Sequence, residues 1–244
     1  MKLHTLGTSH GATEPGRACS VNLLEVNGAY YLFDCGGNAE GKITDRGIEF
    51  DAIRAVFISH MHEDHIGTLS AVVKRFLVYN KSECALDLHL PEQAGIEAFK
   101  GWVNALHLDA SSHKTRYHLI KTGIVYSDEN ITVTAIPTKH LMDGKFPSYA
   151  YMVESADKRF LYTGDLNYTF CDYPSIVFEQ QFDLILCELV HFKPELHLEK
   201  IIQSKTQKMV FTHAAPTKAA RVLHMQDQFP FPIDLATDGK IYEI

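Results

Sequence analysis

Three histidines and two carboxylates lie within six residues of each other in the first third of the chain. They are His60, His62, Glu63, Asp64 and His65. In an extended backbone, residues two apart point to the same side, so His60, His62 and Asp64 share one face. Imidazole nitrogens and a carboxylate oxygen suit zinc, iron or manganese. The spacing therefore predicts a metal site, and ligands in this order are more easily divided between two ions than crowded around one.

The sequence around this cluster indicates how it is positioned. An apolar run at residues 55–58 precedes it, and a helix-like segment at residues 68–79 follows. The cluster is therefore predicted to lie in a loop between a buried strand and a helix, from which several side chains can project into one space. Other polar side chains also follow apolar runs, namely Asp34, His140, Asp165 and His213. Because α/β and sandwich enzymes build active sites where the ends of several strands converge, we expect these residues to join the cluster.

Composition limits the class of protein. With 244 residues, of which 45% are hydrophobic and 22% charged, the chain can form one domain, residues 1–244, with a substantial core. A net charge of −7 without a basic run does not favour binding of long nucleic acid. No signal segment and no run of membrane length are recognised, and the five scattered cysteines are typical of reduced thiols. We expect a cytoplasmic protein that does not contact a membrane.

The His-x-His-x-Asp-His pattern of residues 60–65, followed by His140, Gly164-Asp165 and Thr212-His213, resembles the ligand series of the metallo-β-lactamase superfamily. Within it, the chain is most similar to ribonuclease Z and its smaller phosphodiesterase-like relatives. The opening loop Gly7-Thr8-Ser9 and the segment Tyr162-Thr163-Gly164-Asp165 also match that group. The resemblance implies an α+β fold, a four-layer αβ/βα sandwich with the site at the edge of two sheets.

The resemblance also implies roles for individual residues. His60, His62 and His140 would hold one divalent ion, Asp64, His65 and His213 would hold a second, and Asp165 would bridge them. Zinc is the expected metal, with manganese and iron as alternatives. A hydroxide between the ions would be the nucleophile, and Asp64 would also act as a base that orients it.

The chain departs from ribonuclease Z in two places. Cys187-Glu188 replaces the His-Glu pair of that family, so the general acid is assigned to His191, with His197 as the alternative and an ordinary loop histidine as the competing interpretation. Only 24 residues separate His140 from Asp165, too few for the long arm that grips transfer RNA. The prediction is a metal-dependent hydrolase of a small phosphodiester. A lactone, carboxylic ester or thioester hydrolase, and a non-catalytic metal-binding protein, remain alternatives, and a homodimer follows from the resemblance alone.

Three further expectations concern the scaffold. A helix is predicted from Pro91 to Leu106, with Phe99, Trp102, Val103 and Leu106 on its buried stripe. A buried strand is predicted at residues 182–186. His89 and His118 are predicted to be surface or hydrogen-bonded side chains without a role in the site.

Overall fold

The computed structural model describes residues 1–80 and 84–244. In these residues the strands are β1 (Lys2–Gly7), β2 (Val21–Val26), β3 (Ala29–Phe33), β4 (Ile53–Phe57), β5 (Leu86–Leu90), β6 (Thr115–Leu119), β7 (Gly123–Ser127), β8 (Thr132–Pro137), β9 (Tyr149–Ser155), β10 (Lys158–Tyr162), β11 (Leu184–Leu189), β12 (Met209–Ala214), β13 (Ile233–Leu235) and β14 (Lys240–Glu243). The helices are α1 (Ala39–Asp45), α2 (Glu63–Ile66), α3 (Leu69–Lys74), α4 (Gln93–Ala105), α5 (Ile176–Glu179), α6 (Pro194–Ile201) and α7 (Pro216–His224).

Within the described ranges the strands form two seven-stranded sheets. The first has the order β14-β1-β2-β3-β4-β5-β6 and the second β13-β12-β11-β10-β9-β8-β7. The turn at Asn27 and Gly28, with φ of 51° and 80°, joins β2 to β3, because two positive φ angles match the twist of an antiparallel hairpin. Strands β3 to β6 and β10 to β13 run parallel, so their carboxyl ends lie along shared edges.

Three apolar clusters fill the spaces between four layers. Phe33 and Phe57 of the first sheet meet Tyr151 and Phe160 of the second in the central cluster. Leu32, next to Phe33, points to the other side, where it packs with the helices α1, α3 and α4. A third cluster lies between the second sheet and α5 to α7. The predicted four-layer αβ/βα sandwich is confirmed.

One strand and one helix differ from the predicted boundaries, and two strands were not predicted. The strand expected at residues 182–186 is β11, which begins later and continues through Cys187 and Glu188 to Leu189. The helix α4 begins at Gln93, so Pro91 lies outside it, because Glu92 has an extended backbone and acts as the N-cap. The strands β7 and β13 were not predicted, because the apolar residues of each extend over only three positions.

The expectation that Trp102 and Leu106 are buried is wrong. Trp102 is 55% exposed and Leu106 41%, whereas Phe99 and Val103 are buried. Successive residues are about 100° apart around a helix, so when Val103 faces the sheet, Trp102 points sideways toward solvent. Among the helices of residues 1–80 and 84–244, none is both long and apolar enough to cross a bilayer.

The placement expected for His89 is also wrong. His89 is 3% exposed, its ring stacks on Phe57 at 4.8 Å and on His118 at 4.6 Å, and its Nε2 has no hydrogen-bond partner in the described part of the chain. Burial, followed by the charge of His118, lowers the pKa of His89 to about 3, while Asp87 acts in the opposite direction. His118 donates a hydrogen bond to Asp87 at 2.7 Å, so it is partnered as expected.

This buried histidine gives a pH-dependent stability. As the pH falls, His89 takes up a proton near pH 6.5 in the unfolded chain but only near pH 3 in the folded chain. The contribution of neutral His89 to the free energy of unfolding is therefore complete above about pH 6.5 and is lost as the pH falls toward 3. Between pH 6.5 and 4.5, wild type is expected to lose about 2 kcal/mol more unfolding free energy than His89→Phe, which keeps the ring stack. Urea unfolding of both proteins in chelator at the two pH values tests this, and equal losses would contradict it.

Candidate metal centre

The loop after β4 places the first group of predicted ligands. His60 and His62 lie between the end of β4 and the start of α2, and Asp64 and His65 lie in α2. Gly36, just past β3, allows this close packing, because a Cβ added there would lie 1.6 Å from the carbonyl oxygen of Asp64. The ligand loop is therefore held directly against the end of the neighbouring strand.

The second sheet supplies the other three residues. His140 follows β8 and Asp165 follows β10. Gly164, which directly precedes Asp165, has a φ of +54°, and a Cβ there would lie 2.6 Å from the carbonyl oxygen of Tyr149. His213 lies inside β12, not after it, at a shift of the β11–β12 register, and has a φ of 48°. A bulge re-aims a side chain in this way, at the cost of local strain.

The structure brings all seven predicted ligands to one place. Among the described residues, four groups of three ligand atoms lie within 4.8 Å of one another. Two of them are the triplets His60, His62 and His140, and Asp64, His65 and His213, and the other two combine Asp165 with His60 and His65, and with His140 and His191. In the first triplet, His140 Nε2 lies 3.4 Å from His62 Nδ1. Two nitrogens bound to one tetrahedral zinc lie about 3.3 Å apart, so this separation suits ligands of a single ion.

Asp165 lies between the two triplets. Its Oδ2 atom is 3.4 Å from Nε2 of His65, 3.6 Å from that of His213, and 3.7 Å from those of His60 and His140. The carboxylate therefore faces imidazoles of both groups at once, and it is 2% exposed. This is the position that a bridging ligand requires.

Hydrogen bonds outside the cluster fix the orientation of its imidazoles. His65 Nδ1 donates to Asp34 Oδ2 at 2.7 Å, and His213 Nδ1 donates to the Ser9 carbonyl at 2.8 Å. His60 Nδ1 donates to Ser59 Oγ at 3.0 Å, since the Ser59 hydroxyl itself donates to Asp34. When Nδ1 carries the proton, the Nε2 lone pair points toward the cluster and can bind a metal.

Asp34 connects these outer contacts. It accepts hydrogen bonds from the Ser59 backbone at 2.7 Å and from the Tyr162 hydroxyl at 2.6 Å, in addition to that from His65. Sequence reasoning placed Asp34 at the edge but did not assign Ser59 or Tyr162 a part in the site. Tyr162 directly precedes Thr163-Gly164-Asp165, which is the one signal that could have indicated it.

The residues fit a metal centre. His60 Nε2, His65 Nε2 and Asp165 Oδ1 are buried, and none has a hydrogen-bond partner among the described residues. Buried polar atoms are nearly always paired, so three orphans facing one space indicate a ligand. Burial, helped by the charge of His65, lowers the pKa of His60 well below its usual value, which keeps the ring neutral for metal binding.

The carboxylates of the cluster require positive charge. Burial opposes the ionisation of Asp165, but His213 and His65 outweigh it and hold its pKa well below the usual range. Burial likewise opposes a charge on His65, yet Asp165 and Asp34 raise the pKa of that imidazole. Burial also acts against the ionisation of Asp64, but the neighbouring imidazole of His65, whose Nε2 lies 3.3 Å from Asp64 Oδ2, lowers the pKa of this carboxyl. A divalent ion supplies the charge that these anions stabilise.

His191, and not His197, reaches the cluster. Its Nδ1 donates to Glu188 Oε1 at 3.1 Å and lies 3.6 Å from Asp165 Oδ2, and its ring centre is 4.4 Å from that of His140. Burial lowers its pKa, but the hydrogen bond and charge of Glu188 outweigh this and raise the pKa to about 9. His197 stacks on Phe170 at 5.1 Å instead.

Glu188 fixes the position of His191 through hydrogen bonds to the backbone around it. Its Oε2 atom accepts the backbone N–H groups of Val190 and His191, at 2.6 and 3.0 Å, and its Oε1 accepts that of Leu166 at 3.0 Å. Because Glu188 lies in β11 and is fully buried, it holds His191 in place although that residue is in a loop.

Comparisons with known proteins agree with this geometry. Ribonuclease Z of Shouchella clausii is 31% identical over 163 residues, which cover 65% of this chain and 49% of that enzyme. The chain thus spans about half the length of the curated relatives it matches. The metallo-β-lactamase fold protein YhfI of Bacillus subtilis superposes with a TM-score of 0.80 at 19% identity, covering 99% of each chain. The short form of human tRNase Z gives 0.76 at 18% identity, covering 100% of this chain and 99% of that one.

A family profile also matches most of the chain. Residues 1–229 match the profile of the family described as Anti-Pycsar protein Apyc1, a span that contains every residue of the cluster as well as His191. The two sheets, their outer helices and the structural neighbours establish the metallo-β-lactamase fold. The chain therefore has the metallo-β-lactamase fold and belongs to the Anti-Pycsar protein Apyc1 family.

Proposed function

We propose that the chain is a two-metal hydrolase that acts on a small phosphodiester. The observation that carries this proposal is the position of Asp165, whose Oδ2 lies 3.4–3.7 Å from imidazoles of both triplets. His60, His62 and His140 would hold one ion, and Asp64, His65 and His213 the other, with zinc expected. Divalent ions at such a centre supply a nucleophile at neutral pH and stabilise charge on phosphoryl oxygens.

Two protein groups have separate tasks in this proposal. Asp64 is an ionised carboxylate beside His65, at 3.3 Å from its Nε2, and can orient the attacking water as a hydrogen-bond acceptor. His191 donates a proton to the departing oxygen, because Glu188 holds its Nδ1 and leaves Nε2 for the substrate.

The substrate is proposed to be small because the described segment between His140 and Asp165 forms no protruding arm beside this edge. The 24 residues between His140 and Asp165 are used mainly by β9 and β10, a hairpin inside the second sheet. The net charge of −7 adds no general attraction for long nucleic acid. Relatives named ribonuclease Z extend beyond the matched region, so their substrate is not carried over to this chain.

Hydrolysis of bis(p-nitrophenyl) phosphate tests this proposal. Protein loaded with zinc or manganese is expected to hydrolyse it, and chelator is expected to lower the rate at least about 100-fold, with recovery when metal returns. A p-nitrophenyl carboxylic ester is assayed in parallel. Turnover of the ester alone would contradict phosphodiesterase activity and indicate an esterase or lactonase. No turnover of either compound by protein with two bound ions would contradict the proposal.

Substrate size is tested with a precursor transfer RNA and a thymidine dinucleotide. The dinucleotide is expected to have the higher kcat/KM, by at least about tenfold, because the described segment between His140 and Asp165 is a hairpin of the second sheet and not an arm that could hold a large RNA. A higher kcat/KM for the transfer RNA would contradict the restriction to small substrates.

A further inference from the structure

The imidazole of His140 is held only loosely by its own hydrogen bond. Its Nδ1 lies 3.4 Å from the carbonyl oxygen of Leu166, whereas the corresponding hydrogen bonds of His65 and His213 are 2.7 and 2.8 Å long. His140 also lies outside regular secondary structure, since β8 ends at Pro137. The position of this imidazole therefore depends on what holds the chain on either side of it.

Asn167 contacts residues on both sides of His140 with its side-chain amide. Its Nδ2 donates to the carbonyl oxygen of Lys139 at 3.0 Å and to Asp143 Oδ1 at 2.8 Å. Its Oδ1 accepts the backbone N–H of Thr169 at 3.0 Å and the hydroxyl of the same residue at 2.7 Å. The amide is 4% exposed, and both of its hydrogens and both of its lone pairs are used, so its orientation is defined.

The contact to Asp143 also holds a strained turn. Met142 and Asp143 have φ angles of 47° and 57°, in the left-handed region that residues other than glycine seldom adopt. Such a backbone persists only where surrounding contacts hold it. The amide of Asn167 supplies one of these contacts directly after His140.

Asp172 joins the same two segments. Its Oδ2 accepts the backbone N–H of Lys139 at 2.6 Å, and its two oxygens accept the backbone N–H of Asn167, each at 3.0 Å. One carboxylate thus binds a backbone N–H of each segment. Asn167 and Asp172 together form what we call the clasp, which fastens residues 139–143 to residues 166–172.

Other ligands of the centre are held by other contacts. The backbone N–H of Leu166 donates to Glu188 Oε1 at 3.0 Å, which anchors the chain directly after Asp165. The hydrogen bonds that orient His65 and His213 come from residues just past β3 and β1. Loss of the clasp is therefore expected to displace His140 and to leave these ligands in place.

We propose that Asn167, with Asp172, is a positioning residue for the first ion, which is assigned to His60, His62 and His140. The proposal rests on the proposed function, which places two ions at the centre. The clasp fixes the residues on both sides of His140 before an ion enters, so that the ion meets a ligand that is already ordered. The clasp therefore raises the affinity for the first ion and leaves the affinity for the second unchanged.

Asn167→Asp tests the clasp, because the side chain keeps its size but places a carboxylate oxygen against the Lys139 carbonyl and the Asp143 carboxylate. Zinc affinities are measured by competition with a chelator. One of the two Kd values is expected to rise by about 10- to 100-fold, the usual effect of changing residues that hold metal ligands in place, and the other is expected to stay unchanged. In a His62→Ala background, which lacks a ligand of the first ion, Asn167→Asp is expected to leave the Kd of the remaining ion unchanged.

A second substitution and a control sharpen this test. Asp143→Asn, added to Asn167→Asp, provides a donor opposite the new carboxylate and is expected to recover at least about threefold in the raised Kd. Asn104→Asp is the control, since Asn104 Oδ1 accepts the backbone N–H of Ala110 at 3.1 Å, a role that a carboxylate keeps. Both Kd values are expected to be unchanged in this control.

Hydrogen exchange in metal-free protein separates the clasp from the proposed function. Because the Lys139 N–H donates to Asp172, a peptide covering residues 139–144 is expected to exchange at least about tenfold faster in Asn167→Asp than in wild type. This measurement needs neither bound ions nor turnover, so it reports on the clasp even if bis(p-nitrophenyl) phosphate is not hydrolysed. Unchanged exchange, or equal weakening of both ions in Asn167→Asp, would overturn the clasp and leave the diester hydrolase standing.

Discussion

Replacement of Asp165 by asparagine is expected to reduce the bound metal from two ions per chain to one or none. The same change is expected to lower kcat/KM for bis(p-nitrophenyl) phosphate by at least about 10³-fold, because both ions lose a shared anionic ligand. The reason lies in the geometry of Asp165 Oδ2, which lies within 3.4–3.7 Å of four imidazole nitrogens from the two triplets. A neutral amide cannot offset the charge of two cations at that point.

A matched control is Asp183→Asn. Asp183 is also a largely buried carboxylate beside the second sheet, with a side chain that is 12% exposed, but its partner is Lys158 at 3.0 Å and not a histidine. We expect this variant to keep both ions and nearly full turnover. Metal content is measured by mass spectrometry after gel filtration, and circular dichroism shows whether the fold is kept. Two ions and more than a tenth of the activity in Asp165→Asn would contradict the bridging role.

Replacement of His191 by glutamine is expected to impair hydrolysis selectively according to the leaving group. For thymidylyl-thymidine, whose leaving group is an alkoxide, kcat is expected to fall by about 10²- to 10⁴-fold, the usual contribution of a general acid. For bis(p-nitrophenyl) phosphate the loss is expected to stay below about tenfold, because p-nitrophenolate departs without a proton. A purely structural role for His191 would lower both rates alike.

His197→Gln is the control for this second prediction. His197 lines the same cavity as His191, but its ring stacks on Phe170 and does not enter the cluster. It is expected to leave the ratio of the two rates unchanged. Glu188→Gln should reproduce part of the His191 effect, since Glu188 accepts the Nδ1 hydrogen bond at 3.1 Å. An unaltered ratio of the two rates in His191→Gln would contradict the role of His191 as the general acid.

The sequence predicts the ligand cluster well, because the relevant information is local. The alternating spacing of His60, His62 and Asp64 after an apolar run defines a loop at a strand end. The assignment of Asp165 to the position between two ions came only from the family resemblance, since no local pattern connects residue 165 to residue 60. The structure places these residues together, and their binding of metal stays a prediction.

Other features depend on tertiary contacts that the sequence does not display. His213 was expected after a strand but lies within β12, at a bulge that forms only against β11. Trp102 has the helical spacing of a core residue, yet its side of α4 is turned to solvent. The cavity of about 460 Å³ beside His191 was not foreseen, because Lys193 and Lys218 on its wall lie near the starts of two different helices, and only the packing of α6 beside α7 places them around one space.

Anomalous diffraction at the zinc edge tests the central claim most directly. Crystals of zinc-loaded protein are expected to show two peaks, one bound by His60, His62 and His140, and one bound by Asp64, His65 and His213. Asp165 is expected to contact both, as its position near both triplets indicates. A single peak at full occupancy, or two peaks of which neither contacts Asp165, would contradict the two-metal centre proposed for this chain.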